Sequence, residues 1–86
     1  LANKELIKYE LMGYLISKNI DMIDKNTIKF STESDYNINR FSKLLSNLEI
    51  NHDINVTGKN FTITLKKNKI EDIVEINEEK ILLKED

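Results

Sequence analysis

Polar side chains fall at alternate positions of four short segments, and these are the residues whose types and spacing could do chemistry. In a β-strand, alternate residues share one face, so the polar side chains of each segment would lie together. Hydrogen-bonding groups on one sheet face suit recognition of a nucleic-acid groove by strands, and they equally suit an ordinary solvated sheet face. The predicted polar face consists of Asp21, Thr27, Lys29, Ser31, Asp53, Asn55, Thr57, Thr62, Thr64 and Lys66.

Catalytic and metal-binding chemistry finds little support in the residue types. The chain has no cysteine and one histidine, His52, which excludes thiol chemistry, disulfide scaffolds and multi-histidine metal sites. The sequence also has no glycine-rich phosphate loop and no acid–base pair at a motif spacing. We therefore expect a structural role for His52, and we expect no cofactor and no metal ion.

The charge of the chain is unevenly distributed. The formal net charge of −2 combines +3 over residues 1–69 with −5 over residues 70–86. An acidic segment is repelled by phosphates, so we expect residues 70–86 to face away from any nucleic acid. The mild positive charge of the remainder permits nucleic-acid binding but does not predict tight binding, because non-specific affinity comes mostly from lysine and arginine.

The elements that must position the polar side chains follow from apolar periodicity. The 86 residues suffice for one small domain. The spacing predicts a helix over 3–17, a hairpin over 20–31, and a second helix that begins near Thr32–Asp35. It also predicts a second hairpin over 50–66 and an acidic helical segment over 69–86. Within that segment, Ile81, Leu82 and Leu83 either extend the helix or form a strand. The four strands can form one antiparallel sheet with the helices on one face, which is an α+β fold.

The location of the protein is constrained by its apolar segments. No apolar run approaches 18 residues, and no cationic stretch followed by an apolar block opens the chain. We therefore expect no membrane contact and a cytoplasmic location.

The first predicted helix contains a short motif, which runs Leu-Met-Gly-Tyr-Leu-Ile-Ser-Lys-Asn over residues 11–19. Further matching segments are residues 28–34, which read Ile-Lys-Phe-Ser-Thr-Glu-Ser, and residues 40–45, which read Arg-Phe-x-x-Leu-Leu. With the order of elements, this pattern resembles one repeat of the LAGLIDADG homing endonucleases over residues 5–67. Within that superfamily it is most similar to the amino-terminal domain of the WhiA family of bacterial sporulation and transcription regulators.

The resemblance implies a fold and a setting for the chain. It implies a single αββαββ(α) repeat over residues 1–86, with a core over about 3–67. Regulators of the WhiA type also carry a helix-turn-helix domain, which 86 residues cannot hold in addition. Because the chain also does not begin with Met, we expect an amino-terminal fragment of a longer, nucleoid-associated bacterial regulator.

The resemblance also bears on catalysis. In the endonucleases, the acid at the eighth motif position binds a divalent metal ion beside the scissile phosphate. Lys18 occupies that position here, and an ammonium group cannot ligate Mg²⁺. The resemblance therefore implies a catalytically inactive domain. An active nuclease that uses Asp21 as a displaced ligand is the least favoured alternative.

The leading hypothesis is an inactive LAGLIDADG-type domain of a DNA-binding transcriptional regulator. The alternative is a purely structural or protein-interaction module that makes no DNA contact. Because the motif helices of two repeats pack together in the endonucleases, we also expect a helix–helix interface, and a homodimer through the first helix where a chain has one repeat. The candidate DNA contacts are Lys29, Asn55, Lys59, Thr62, Thr64, Lys66 and Lys67, and the candidate interface residues are Leu11, Met12, Gly13 and Ile16.

We predict that the purified chain does not cleave DNA in the presence of Mg²⁺, because Lys18 replaces the acid that metal-assisted cleavage requires. Supercoiled plasmid incubated with the protein and MgCl₂ should remain supercoiled on an agarose gel. Nicking that is abolished both by EDTA and by Asp21→Ala would contradict the prediction.

Overall fold

A computed structural model describes residues 3–77 and 80–84 and confirms the predicted α+β fold. Two helices pack on one side of a four-stranded antiparallel sheet, and a separate two-stranded hairpin follows. None of the described helices is long and apolar enough to span a bilayer. The elements are α1 (Lys4–Leu15), β1 (Ile20–Asp24), β2 (Thr27–Thr32), α2 (Asp35–Asn47), β3 (Asp53–Thr57), β4 (Asn60–Lys66), a 3₁₀ turn (Lys67–Lys69), β5 (Val74–Asn77) and β6 (Lys80–Leu83).

Side-chain caps begin both helices. The Asn3 carboxamide oxygen accepts a hydrogen bond of 2.8 Å from the Glu5 backbone N–H at the start of α1. The Ser34 hydroxyl accepts one of 3.1 Å from the Asn37 N–H at the start of α2. Each cap satisfies one of the backbone N–H groups that the first turn of a helix leaves without an internal partner. The start of α2 falls where the sequence predicts it.

The sheet order is β1-β2-β4-β3, with every neighbouring pair antiparallel. The pairing register sets Ile28 opposite Leu65 and Phe30 opposite Ile63, so these four side chains share the face that the helices cover. All four are buried. The opposite face consequently collects the polar residues of β2 and β4, as the alternation predicts.

Three aromatic rings join the two helices to the sheet. The Phe30 ring of β2 and the Phe41 ring of α2 lie edge to face, with their centroids 4.6 Å apart. The Tyr14 ring of α1 stacks on Phe41 at 5.3 Å and meets Phe30 edge-on at 5.6 Å. The Tyr14 hydroxyl donates a 3.2 Å hydrogen bond to the Asn37 side chain of α2, and burial raises the pKa of that hydroxyl.

The predicted carboxy-terminal helix is wrong over residues 70–77, whereas the alternative of a strand at residues 81–83 is confirmed. Residues 74–77 and 80–83 form an antiparallel hairpin, β5–β6, after the 3₁₀ turn. Val74 is buried and Ile76 partly buried on one side of β5, so the two-residue period of a strand prevails over the helical spacing of Ile70, Ile73 and Val74. Residues 78, 79, 85 and 86 of the predicted acidic segment lie outside the described residues.

Helix α2 ends in a Schellman motif that has no glycine. The Ile50 N–H donates 2.8 Å to the Leu45 carbonyl, and the Glu49 N–H donates 3.0 Å to the Ser46 carbonyl. Ile50 and Leu45 are both buried, which supplies the apolar contact typical of the motif. The motif requires a left-handed backbone at Glu49, whose φ is 59°, and this conformation is unfavourable for a residue with a Cβ.

We predict that Glu49→Gly stabilises the protein by about 1 kcal/mol, because glycine adopts the left-handed conformation without a Cβ clash. Urea denaturation should give a higher free energy of unfolding for this variant. Glu49→Ala is the matched control, since it removes the carboxylate but keeps the Cβ. Equal stability of the Gly and Ala variants would contradict the prediction.

Candidate nucleic-acid interface

Five of the seven candidate DNA contacts lie together on the polar face of the sheet. Thr62 of β4 is flanked by Ser31 of β2 and Asn55 of β3 in one cross-strand row. Thr64 is flanked in the next row by Lys29 and Asp53. Lys66 lies two residues further along β4, and its Nζ donates a 3.0 Å hydrogen bond to the Thr27 hydroxyl on the same face. The five candidates on this face are Lys29, Asn55, Thr62, Thr64 and Lys66.

The other two candidates lie at opposite ends of β4. Lys59 is exposed in the two-residue turn between β3 and β4. Lys67 opens the 3₁₀ turn after β4, and its backbone N–H donates 2.9 Å to the Asn26 carbonyl in the β1–β2 turn. Lys59 and Lys67 therefore flank the hydroxyl and amide groups of the polar face, whereas Lys29 lies beside Thr64 among them. A nucleic acid that follows β4 would meet lysines at both ends and neutral donors and acceptors between them.

Acidic side chains on the same face offset part of this positive charge. Asp21 of β1 is the cross-strand partner of Lys29, and Asp53 lies at the far end of the same row, beyond Thr64. One row thus carries two carboxylates and one ammonium group. Asp24 is exposed in the β1–β2 region, and hydrogen bonds from the Asn26 backbone and nearby groups lower its pKa. A phosphate at the centre of the row from Asp21 to Asp53 would be repelled by the carboxylates at both ends.

The carboxy-terminal segment does not turn away from the candidate contacts, which corrects the expectation from its charge. Glu71 and Glu75 line a shallow cleft together with Lys66 and Lys67. Lys84 also lines this cleft, because its backbone N–H donates 2.8 Å to the Ile73 carbonyl and holds the end of β6 close to the 3₁₀ turn. Periodicity does not predict that Lys84 lies near Lys66, because the β5–β6 hairpin brings it there.

The region that matches the metal-binding end of the motif is organised by hydrogen bonds within the chain. The Ser17 hydroxyl donates 2.7 Å to the Tyr14 carbonyl, and the Asn19 amide donates 2.7 Å to the Ser31 carbonyl of β2. Lys18 lies between them and is exposed. Within residues 3–77 and 80–84, no three His, Asp or Glu side chains are grouped closely enough to hold a metal ion together.

Glu10, the one acid in the second half of α1, is engaged by α2. The Arg40 guanidinium donates from Nε to Oε2 at 2.5 Å and from Nη2 to Oε1 at 2.7 Å. This two-point hydrogen bond holds the pKa of the Glu10 carboxyl below its usual range and raises that of Arg40. The pair is a surface link between the two helices, and it occupies both carboxylate oxygens.

His52 hydrogen-bonds with groups on both sides of the loop that precedes β3. Its Nδ1 lies 2.9 Å from the Ile50 carbonyl, which can only accept, so Nδ1 carries a proton. Its Nε2 lies 2.7 Å from the Ser42 hydroxyl. The imidazole therefore links the loop before β3 to helix α2 by hydrogen bonds. The two interactions place the ring at the junction of helix and loop, beside the left-handed turn at Glu49.

The four residues predicted for a helix–helix interface divide into two pairs. Leu11 and Met12 are buried in the protein's own core, where the residues of α1 meet those of α2 and of the β5–β6 hairpin. Met12 is therefore not the uncovered flank that its position in the sequence indicates. Gly13 and Ile16 are exposed. Leu6 has the helical spacing of a core residue relative to Leu11 and Leu15, from which a buried position is predicted, but it is exposed.

An uncovered apolar stripe nevertheless runs along α1. Leu6, Tyr9, Gly13 and Ile16 are spaced by three or four residues, which places them on one side of a helix. All four are exposed, and they lie opposite the stripe that enters the core. We call these four residues the outer stripe. A Cβ built at Gly13 would meet no atom within 4 Å, so nothing within the chain requires glycine there.

Comparison of the chain with protein-family models, with curated proteins and with solved structures found no match. The proposed function therefore rests on the residues of the chain and on their geometry.

Proposed function

We propose that the chain is a non-catalytic, LAGLIDADG-type binding domain of a bacterial transcriptional regulator, and that its polar sheet face contacts DNA. The observation that carries the proposal is the shared face of Lys29, Thr64, Thr62, Asn55 and Lys66. Two lysines that can approach phosphates lie beside hydroxyl and amide groups that can reach base edges. In this function the protein works in the cytoplasm at the nucleoid.

The proposal is supported by the order of elements and by the residue at the motif's eighth position. Helix, hairpin, helix and hairpin follow one another as the resemblance implies. Lys18 is exposed at the end of α1, where an ammonium group is suited to a phosphate and unsuited to a divalent metal. The same position that would serve cleavage in a nuclease is thus compatible with binding alone.

A second candidate function is a protein-interaction module that makes no DNA contact. The row that holds Asp21, Lys29 and Asp53 favours it, because the carboxylates outnumber the ammonium group there. The position of Glu71 and Glu75 beside Lys66 favours it as well. The two candidates differ in salt dependence: a DNA contact releases counterions and weakens steeply with salt, whereas a neutral protein contact does not.

The outer stripe of α1 is the surface on which we propose that a second repeat or a second copy of the chain packs. Its apolar side chains are left in water by the fold of one repeat. Gly13 would let the backbone of another helix approach closely. A two-fold axis between the two copies of α1 would make the contact self-complementary.

We predict that duplex DNA binding is weak and falls steeply with salt, and that Lys29→Glu and Lys66→Glu weaken it further. Each lost phosphate contact should reduce the slope of log affinity against log salt by about 0.9. Fluorescence anisotropy over a salt series measures this slope. Lys80→Glu is the matched control, because Lys80 is exposed on β6 and outside the polar face. Equal effects at all three lysines, or a slope near zero for the parent, would contradict the DNA proposal.

We predict that two substitutions at Gly13 change two different properties, the stability of the chain and its self-association. Gly13→Ala should raise the free energy of unfolding of the dilute chain by about 1 kcal/mol, because alanine favours helix and its Cβ meets no neighbour. Gly13→Leu should weaken self-association in sedimentation equilibrium, because its side chain would hold a second helix away. Asn39→Leu, on the exposed side of α2, is the control. A strictly monomeric parent at high micromolar concentration would rule out the α1 contact.

A further inference from the structure

The strand β3 forms an open edge of the sheet, and its single charged residue is Asp53, at its first position. All five of its residues are exposed, and neither helix within the described residues covers them. Ile54 and Val56 point to the helix side of the sheet, as the partners of Ile63 and Phe61, yet they remain 50% and 62% exposed. No lysine, proline or bulge interrupts β3, so its unpaired backbone groups are available to another strand.

The other edge of the sheet is protected. Strand β1 carries Asp21 and Asp24, and its register shifts between Met22 and Asp24 where it pairs with β2. Charges and irregular register of this kind discourage further pairing. The two edges therefore differ in charge and regularity: β1 carries two acids and an irregular register, whereas β3 carries one acid and pairs regularly with β4.

The backbone of β3 offers hydrogen bonds at two positions. The two-residue turn pairs Thr57 with Asn60, so these two residues exchange the hydrogen bonds that close the hairpin. Alternation along the antiparallel ladder then directs the N–H and C=O groups of Thr57, Asn55 and Asp53 toward β4. The Ile54 and Val56 groups are consequently directed away from the sheet, toward the open edge.

The sequence of β3 is self-complementary about Asn55. If a second copy pairs antiparallel with its Asn55 opposite Asn55, then Ile54 lies opposite the second copy's Val56 and Asp53 opposite its Thr57. The two Ile–Val pairs use the outward N–H and C=O groups of both strands, which gives four backbone hydrogen bonds. The same pairs bring the exposed apolar side chains of the two copies together. No like charges face each other in this register.

We infer that β3 is a homodimerisation edge, at which two copies of this chain pair antiparallel about Asn55 and join their sheets into one of eight strands. This inference stands independently of the DNA proposal. It also leaves the outer stripe of α1 free, because α1 packs mainly against α2 and β6. The two polar faces would form one surface, with the Asn55 side chains at its centre.

Cysteine cross-linking tests the register directly, because the chain has no cysteine of its own. In the proposed pair the two Cα atoms of residue 55 would lie about 4.5 Å apart, as in a pair without mutual hydrogen bonds. This separation lies within the range of about 4.4–6.8 Å that a disulfide accepts. The two copies of residue 53 would be about 13 Å apart along the strands, which a disulfide cannot bridge.

We expect Asn55→Cys to form a disulfide-linked dimer on mild oxidation on the order of tenfold faster than Asp53→Cys or Thr57→Cys, since only residue 55 meets its own copy. These three positions are all exposed on one face of one strand, so they are matched for accessibility. Circular dichroism confirms that each variant is folded. Equal rates at the three positions would indicate random collision and would overturn the inference.

A second substitution distinguishes specific pairing of two β3 strands from random collision of two chains. Adding Ile54→Lys to Asn55→Cys should reduce the cross-linking rate severalfold, because it removes one apolar partner of each Ile–Val pair. Ile23→Lys is the matched control, since Ile23 is 52% exposed on the opposite edge strand β1. Cross-linking that is insensitive to Ile54→Lys would overturn the inference. An Asn55→Cys chain that stays monomeric at every concentration would also overturn it, and would leave β3 to an extended segment of another protein.

Discussion

The contact among Tyr14, Phe30 and Phe41 is the constraint on which the rest of the architecture depends. Each ring comes from a different element, so their mutual packing fixes α1, α2 and β2 relative to one another. Aromatic pairs at these separations contribute about 0.5–1.5 kcal/mol each beyond the area they bury, which is a substantial share of the stability of a small domain. The Tyr14–Asn37 hydrogen bond and the Glu10–Arg40 pair reinforce the same helix–helix orientation from the surface.

This placement of the helices decides which surfaces are left for binding. With α2 packed over β2 and β4, the helix layer does not reach β3, and Ile54 and Val56 remain in water. Because one side of α1 enters the core, the outer stripe on its other side faces solvent. The polar face of the sheet is free of helices altogether. The described residues leave all three surfaces uncovered, so these surfaces are candidates for contact with other molecules.

Acidic side chains offset the lysines of the polar face, so this face is not broadly basic. Lys29 and Lys66 are balanced by Asp21 and Asp53 on the same face, so affinity for phosphate alone would be small. If β3 pairs with a second copy, the hydroxyl and amide rows of the two faces become continuous and the number of lysines doubles. A weak single contact would then become a two-site contact, in which the second site binds at the effective concentration set by the first.

Periodicity in the sequence alone determined the two helices, the two hairpins and the polar face, because alternation and helical spacing are local properties that burial of one face enforces. Tertiary structure decided the rest. Met12 and Leu6 are both apolar residues of α1, yet Met12 is buried in the core and Leu6 is exposed. Likewise, Ile54 alternates as a core residue does, but it is uncovered because β3 lies at the edge of the sheet, beyond the helices. Burial depends on which elements meet, and that is a property of long-range packing which no short stretch of sequence contains.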